Sequence, residues 1–287
     1  MKLERFRTKS FNRKFTTTVI VIIMLGLSAV MLLPYLIMLS NSLKLPRELF
    51  TETLELIPPT WQWKNYYRIL FEEDMMKSVL NTCKILIWVL PIGLFTTSLA
   101  AFAFAKMRFR GSKIMFALLL ATMMIPGTVT MFPTFLFWTM IGLRDSYVPL
   151  ILPGCLGNIS AMFFIVQYLK SLPNSMIESA KIEGASYFRI YLHIIFPLCK
   201  GAIATQALLW LMAIWNDLLG PILYLDSPKK YPLTPFLASL NTQDSSMASV
   251  PVMCAGAVCA SIPLILLYLI FNKQVINSLS LTGGVKE

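Results

Sequence analysis

Six stretches of this chain are apolar for about the length of a bilayer core, at roughly residues 17–40, 80–105, 114–137, 146–168, 201–224 and 249–271. A membrane helix needs about 20 such residues. The 287 residues are 56% apolar, with a mean hydropathy of +0.68, too apolar for a soluble domain with a polar surface. The expected fold is all-α: a polytopic membrane bundle of six transmembrane helices. The N-terminus has the basic-then-apolar order of a signal peptide. Its apolar run is too long for one and lacks a small-residue cleavage site, so it is expected to stay as the first span.

The net charge of +11 raises the question of nucleic acid, and its distribution answers it. Sixteen of the 25 Lys and Arg residues fall in 1–16, 106–113, 170–200 and 273–286, and eight fall in the alternate loops. An excess on one side orients a membrane protein, so that side, which holds both termini, is expected to be cytoplasmic. No nucleic-acid surface is expected. The organisation follows: a basic cytoplasmic N-terminus (1–16), a membrane domain (17–272) and a cytoplasmic tail (273–287).

The chemistry of the chain is defined partly by what is missing. It has no GxxxxGK[ST] loop to cradle ATP phosphates. His193 is the only histidine, which excludes HExxH, His-based triads and multi-His metal sites. No GxSxG elbow is present. Cys83, Cys155, Cys199, Cys254 and Cys259 form no CxxC pair and are read as apolar fillers. No catalytic, metal or cofactor site is expected, and a membrane-embedded enzyme has no nucleophile–base pair to support it. Intramembrane charge is scarce. Lys84 can snorkel to the outer interface. Asp217 is either a buried functional carboxylate or a hydrated helix end. A proton- or sodium-coupled carrier needs ionisable groups near the midplane, so scarcity favours an energy source on another subunit.

The longest charged stretch between two late spans is Pro173–Lys200. Pro173 suits a first helical turn, and Ser175-x-x-Glu178 fits a capping box. Met176, Ile177 and Ala180 share a face, with Glu178 and Lys181 pointing elsewhere. Gly184 then breaks the pattern, as a residue tolerant of positive φ does at a helix end. Ser186 can cap a second helix with a stripe of Phe188, Tyr191, Leu192 and Ile195, opposite Arg189 and His193. The segment predicts helix, glycine turn, helix, leading into a span.

Glu178-Ser-Ala-Lys-Ile-Glu-Gly-Ala185, followed by Ile195-Phe-Pro197, resembles the EAA loop of ABC importer permeases. Ser179 stands for the family's first Ala, and Glu183 for its usual Asp. The resemblance implies a type I importer permease fold in which this loop docks in a cleft of an ATPase subunit. Glu178, Ala180, Glu183, Gly184, Ala185 and Phe188 would then make or shape that contact. Pro59-Thr-Trp61, Asn65-Tyr66, Ser78-Val-Leu-Asn81, Ala100–Lys106, Phe109-Arg-Gly111, Met124-Ile-Pro126, Pro133, Gly142-Leu143, Trp215-Asn-Asp217 and Gly283-Gly-Val-Lys286 are similar to carbohydrate permeases. They match in particular the second, smaller permease of maltose-type transporters. Implied partners are a homologous second permease, an ATPase dimer that binds the ATP, an extracytoplasmic sugar-binding protein and membrane lipid, all at a bacterial or archaeal cytoplasmic membrane. The outer loop 225–248, especially 241–246, would face the binding protein, and the tail 281–287 the ATPase.

Polar side chains available to a pathway are Asn158, Ser160, Gln167, Thr205, Gln206, Asn216 and Asp217. Trp210 and Trp215 are available to stack on a sugar. Interhelical hydrogen bonding and packing is the competing reading for all of them. Trp61, Trp63, Tyr66 and Tyr67 in the acidic loop 45–78 suit an interface belt or contact with an outside partner. Eight prolines spread through spans two to six suit a bundle that alternates between packings. Two other readings stay open: a stand-alone carrier or channel, and an importer permease for a non-sugar solute such as glycerol-phosphate.

Overall fold

The structure, a computed structural model, describes residues 2–49, 55–243 and 250–282, with side chains described over 16–49, 55–240 and 250–272. The expected basic N-terminus, the outer-loop segment 241–246 and the tail 281–287 therefore lie wholly or largely outside the described side chains. Every regular element among the described residues is helical. They form two compact units, Met1–Glu73 with Leu240–Cys259, and Asp74–Ser239 with Ala260–Glu287.

In the first unit, α1 (Lys2–Ser42) carries the first span, Thr16–Ser42. Its apolar surface is exposed all round, as suits a helix whose neighbours are lipid or another subunit. The polar end Ser40–Lys44 is folded over by the following chain. Ser42 Oγ lies 2.7 Å from Tyr66 Oη, Asn65 Nδ2 donates to the Ser42 and Lys44 carbonyls at 2.9 and 3.1 Å, and buried Lys44 donates to Glu55 O at 2.6 Å. Asn65 and Tyr66 thus satisfy the helix end, where the short α2 (Lys64–Tyr67) begins. Trp61 and Trp63 remain exposed beside a hollow of about 480 Å³.

The second unit is built on α3 (Met75–Lys106), the second span, which packs against α6 (Val148–Leu156), α7 (Ile159–Ser171) and α11 (Lys200–Trp215). Small residues permit the closest approach. A Cβ on Gly93 would lie 2.5 Å from Gly154 O and 2.6 Å from the Trp210 ring, and one on Gly154 would lie 2.6 Å from Val89 Cγ1. Membrane helices associate through such close backbones, since lipid supplies no hydrophobic drive between them.

Among the described residues four helical runs are long and apolar enough to cross a membrane without a sharp bend, and two bent pairs bring the count to six if each is one span. Two of the expected spans, 114–137 and 201–224, fall on the bent pairs. The third breaks between α4 (Ser112–Thr122) and α5 (Gly127–Met140), which meet at 93°. Pro126 lacks an N–H and biases Ile125 out of the helical region, so the helix stops there although hydropathy does not change. The fifth bends by 76° at Cys199, two residues after Pro197, and α11 ends at Trp215; α12 (Leu219–Tyr224) is a separate turn. Span four contains a further break at Gly157 (φ +126). Threonines of α3 repair it: Thr97 Oγ1 accepts from Asn158 N at 2.9 Å and Thr96 Oγ1 donates to Cys155 O at 3.0 Å. Backbone groups freed inside a bilayer need such partners.

The described part of the expected outer loop 225–248 is partly helical. It contains α13 (Leu233–Gln243), whose Leu233 and Leu240 are buried. The last span belongs to α14 (Val250–Thr282).

Candidate functional site: the loop between the fourth and fifth spans

Between α7 and α11 the chain forms α8 (Ser175–Ile182), a turn, α9 (Tyr187–Ile190), a π-helical turn Tyr191–Ile195 and α10 (Phe196–Leu198). The start of α8 differs from the expected capping box. Asn174, not Ser175, occupies the cap position and makes no side-chain cap bond. Its Oδ1 instead accepts from Lys106 Nζ at 2.8 Å, and the same ammonium donates to Leu172 O at 2.7 Å. The last residue of α3 therefore holds the loop's first turn.

The end of α8 is a Schellman motif. Gly184 sits at φ +80, its N–H donates to Lys181 O at 2.9 Å, and Ala185 N–H donates to Ala180 O at 3.0 Å. These two bonds satisfy the last carbonyls of the helix and reverse the chain. Ser186 caps the next helix, accepting from Arg189 N–H at 3.3 Å. Helix, left-handed glycine and serine cap thus lie where the spacing predicts them.

The hairpin has an inner and an outer face. Ile177, Ala180, Ile190, Tyr191, Ile195 and Cys199 are buried in one core with Ala101 and Phe102 of α3 and Met162, Ile165, Val166 and Leu169 of α7. Tyr191 is central, 1% exposed, with its hydroxyl 2.8 Å from Ser98 Oγ and its ring 5.8 Å from that of Phe102. Each fully buried isoleucine contributes about 1.5–3 kcal/mol. Met176 departs from the expected shared face and is exposed, and Phe188 and Leu192 likewise leave the expected stripe. The π-helical turn carries an extra residue, which rotates the buried face onto Ile190, Tyr191 and Ile195.

The outer face presents Glu178, Lys181, Ile182 (88% exposed), Glu183, Gly184, Phe188 and Arg189. Of the residues expected to contact a partner, Ala180 is buried and Ala185 half-buried, so the small size of Ala180 serves packing within the chain. Two hollows of about 250 Å³ flank α8. One is bordered by Lys106, Arg108, Glu178, Lys181 and Tyr187, the other by Glu183, Ala185, Arg189 and His193. Lys181 is bonded to the Tyr187 hydroxyl and lies over that ring, and His193 Nδ1 donates to Arg189 O at 3.1 Å.

Several of the residues expected along a pathway are engaged by backbone groups of their own chain. Asn158 caps α7, accepting from Ala161 N–H at 2.9 Å. Trp215 is buried, with Nε1 donating to Ala260 O at 3.1 Å and its carbonyl accepting from Thr234 at 2.7 Å. Asn216 folds back on Met212 O at 2.8 Å, and Asp217 accepts from Gly220 N–H at 3.2 Å, at the start of α12. Gln206 and Thr205 are buried and Gln167 is exposed.

Sequence reasoning missed the Tyr191–Ser98 anchor and the Lys106 tie, for which no local signal exists. It also missed a cluster at the opposite end of the unit. There Asp145 binds the segment 226–230, and Lys230 beside it, with the Ser227 donors, holds its carboxyl well below the usual carboxylate range.

Known proteins resemble this arrangement over nearly its full length. A family model described as binding-protein-dependent transport system inner membrane component matches residues 90–280. The chain is 32% identical over 263 residues to the arabinooligosaccharides transport system permease protein AraQ of Bacillus subtilis, covering 91% of this chain and 92% of that one. It is 30% identical over 277 residues to the polygalacturonan/rhamnogalacturonan transport system permease protein YtcP of the same organism, covering 92% and 95%. The trehalose transport system permease protein SugB of Mycobacterium tuberculosis is 30% identical over 259 residues, covering 89% and 92%. Among solved structures, a chain of a bacterial ABC transporter that imports the acidic polysaccharide alginate superposes with a TM-score of 0.77 at 24% identity, covering 89% of this chain and 95% of that one. That likeness establishes the shared fold.

Proposed function

The chain belongs to the family of binding-protein-dependent transport system inner membrane components, and from that membership we propose that it is one of two permease subunits of an ATP-driven sugar or oligosaccharide importer. It is a multi-pass membrane protein and a transport subunit rather than an enzyme. The proposed assembly adds a homologous permease, an ATPase dimer and an extracytoplasmic sugar-binding protein. Both termini and the loop 173–200 face the cytoplasm, in keeping with the excess of Lys and Arg there. The sugar assignment is supported by the oligosaccharide, polysaccharide and disaccharide transport named for the relatives.

The observation that carries the mechanism is the two-faced hairpin. Its outer face offers Glu178, Glu183 and the exposed turn at Gly184 to an ATPase cleft. Its inner face shares one close-packed core with α3 and α7. Packed cores shift as bodies and do not deform continuously, so a push on the hairpin moves the spans it is keyed into. Closure of the ATPase dimer on ATP would switch the bundle from inward- to outward-facing. Asn158, Trp215 and Asp217 shape helix ends in this scheme, and Gln167 and Asn216, with exposed side chains, are the better candidates to face solute.

Affinity purification of the tagged chain from its native membrane tests the reading. An ATPase and a second permease are expected to co-purify. The reconstituted complex should take up labelled oligosaccharides only with ATP and the binding protein present. A chain that purifies alone and moves solute without ATP is the carrier or channel instead.

A further inference from the structure

The loop between α5 and α6 holds two residues at positive φ, Gly142 (+73) and Asp145 (+53). Aspartate tolerates the left-handed region best when its short side chain is held by hydrogen bonds. Here the side chain takes four. Oδ1 accepts from Asp226 N–H and Ser227 N–H, both at 3.0 Å, and Oδ2 accepts from Ser227 Oγ at 2.7 Å and Lys230 Nζ at 2.8 Å. An ionised carboxylate has only acceptors, and four donors fill it. The backbone joins in: Asp145 N–H donates to Tyr224 O at 2.8 Å, and its carbonyl accepts from Lys230 Nζ at 2.5 Å.

Neighbouring groups complete the grip. Arg144 pairs with Asp226 at 2.7 Å, and Tyr147 Oη donates to Lys230 O at 3.0 Å. From α3, buried Asn81 donates to the Lys229 and Tyr231 carbonyls at 3.0 and 3.2 Å, and Thr82 Oγ1 accepts from Leu233 N–H at 2.9 Å. Two elements remote in sequence therefore fix segment 224–233 atom by atom. The chain leaves that base to form α13 and the rest of the outer loop.

We propose that Asp145 is a positioning residue for docking of the extracytoplasmic binding protein. By clamping the segment 226–230 it fixes where the chain enters α13. This rests on the transport reading above. Removing the clamp should weaken capture of the binding protein without altering ATP turnover in its absence.

The test uses the assembled complex in nanodiscs, with ATPase activity titrated against the purified sugar-loaded binding protein. Asp145→Ala is expected to raise the half-saturating concentration of binding protein about 10-fold, with basal and maximal rates unchanged. Asp145→Asn keeps the acceptor for the two N–H donors and should recover part of the loss, and Lys230→Met should resemble Asp145→Asn. In a cysteine-free background, the distance distribution between spin labels at Lys77→Cys and Ala238→Cys should broaden when Asp145 is Ala. An unchanged half-saturation in all three variants overturns the proposal, as does a parallel fall of basal and maximal rates or a label distribution of unchanged width. If Asp145→Ala fails to accumulate, the other two variants decide by the same criteria. Wild-type complex that no binding protein stimulates would overturn the transport reading itself, a distinct result.

Discussion

At Gly184 the constraint is the backbone and not the space. A Cβ there would meet nothing within 4 Å, yet the residue sits at φ +80. Alanine would pay about 1–2 kcal/mol for the left-handed conformation and nothing for a clash. Proline cannot adopt that φ, and it removes the N–H that donates to Lys181 O at 2.9 Å. Gly184→Ala is therefore expected to retain most transport. Gly184→Pro should reach the membrane but lose at least 10-fold in uptake while ATP hydrolysis continues. Uptake and phosphate release measured on the same proteoliposomes check this, and normal uptake by Gly184→Pro would refute the lever role of the hairpin. Gly184 was legible in the sequence because a helix end with no Cβ is a local event. Gly93 and Gly154 were not, since their need for smallness is set by Trp210 and Val89 on other helices.

The element that differs most from its sequence reading is the second half of the hairpin. A period of 3.6 residues puts Phe188 and Leu192 in one stripe with Tyr191 and Ile195, whereas the π-helical turn buries Ile190 in their place. Periodicity cannot announce one extra residue in a turn. What favours the turn is the core it serves, where Tyr191 is enclosed by Phe95, Phe102 and Phe196 and bonded to Ser98. Tyr191→Phe keeps the ring and loses a single hydrogen bond, at a cost of about 1 kcal/mol. Tyr191→Ala empties the site and should cost about 3–5 kcal/mol. The expected signature is graded: a slight loss of thermal stability for Phe, and for Ala a large loss together with a fall in the number of solutes moved per ATP. Thermal unfolding of the purified complex and the uptake-to-hydrolysis ratio measure the two. An unchanged ratio in a folded Ala variant would mean the hairpin transmits its push elsewhere.

For the whole molecule, the charge pattern predicts that the hairpin lies on one side of the membrane and the Asp145 cluster on the other. A membrane-impermeant maleimide applied to intact cells tests this with single cysteines in a cysteine-free background. Asp226→Cys is expected to react from outside, and His193→Cys only after permeabilisation. The opposite result would invert the topology and remove the hairpin from any ATPase. The same scale explains the two bent spans. Hydropathy reports how much chain lies in lipid, and α4–α5 and α10–α11 are apolar on both sides of their 93° and 76° bends. Pro126 and Pro197 mark the sites, yet Pro91, Pro133 and Pro263 lie inside continuous helices. A proline removes one backbone hydrogen bond wherever it stands, and the packing around it decides whether the helix bends there or continues.

The sequence by itself determined the properties that are local or summed along the chain: the apolar runs, the side that carries the cations, and a hairpin closed by Gly184 and Ser186. Tertiary structure alone decided where those runs break and which polar groups stay available. Thr97 completes the break at Asn158 from 61 residues away, and Lys230 meets Asp145 across 85. Trp215 and Asp217, polar-tipped and eligible on sequence, are bound to their own chain's backbone. The physical reason is the same throughout: a buried backbone group must find a partner, and in a folded membrane bundle that partner stands nearby in space with no mark of it in the neighbouring sequence.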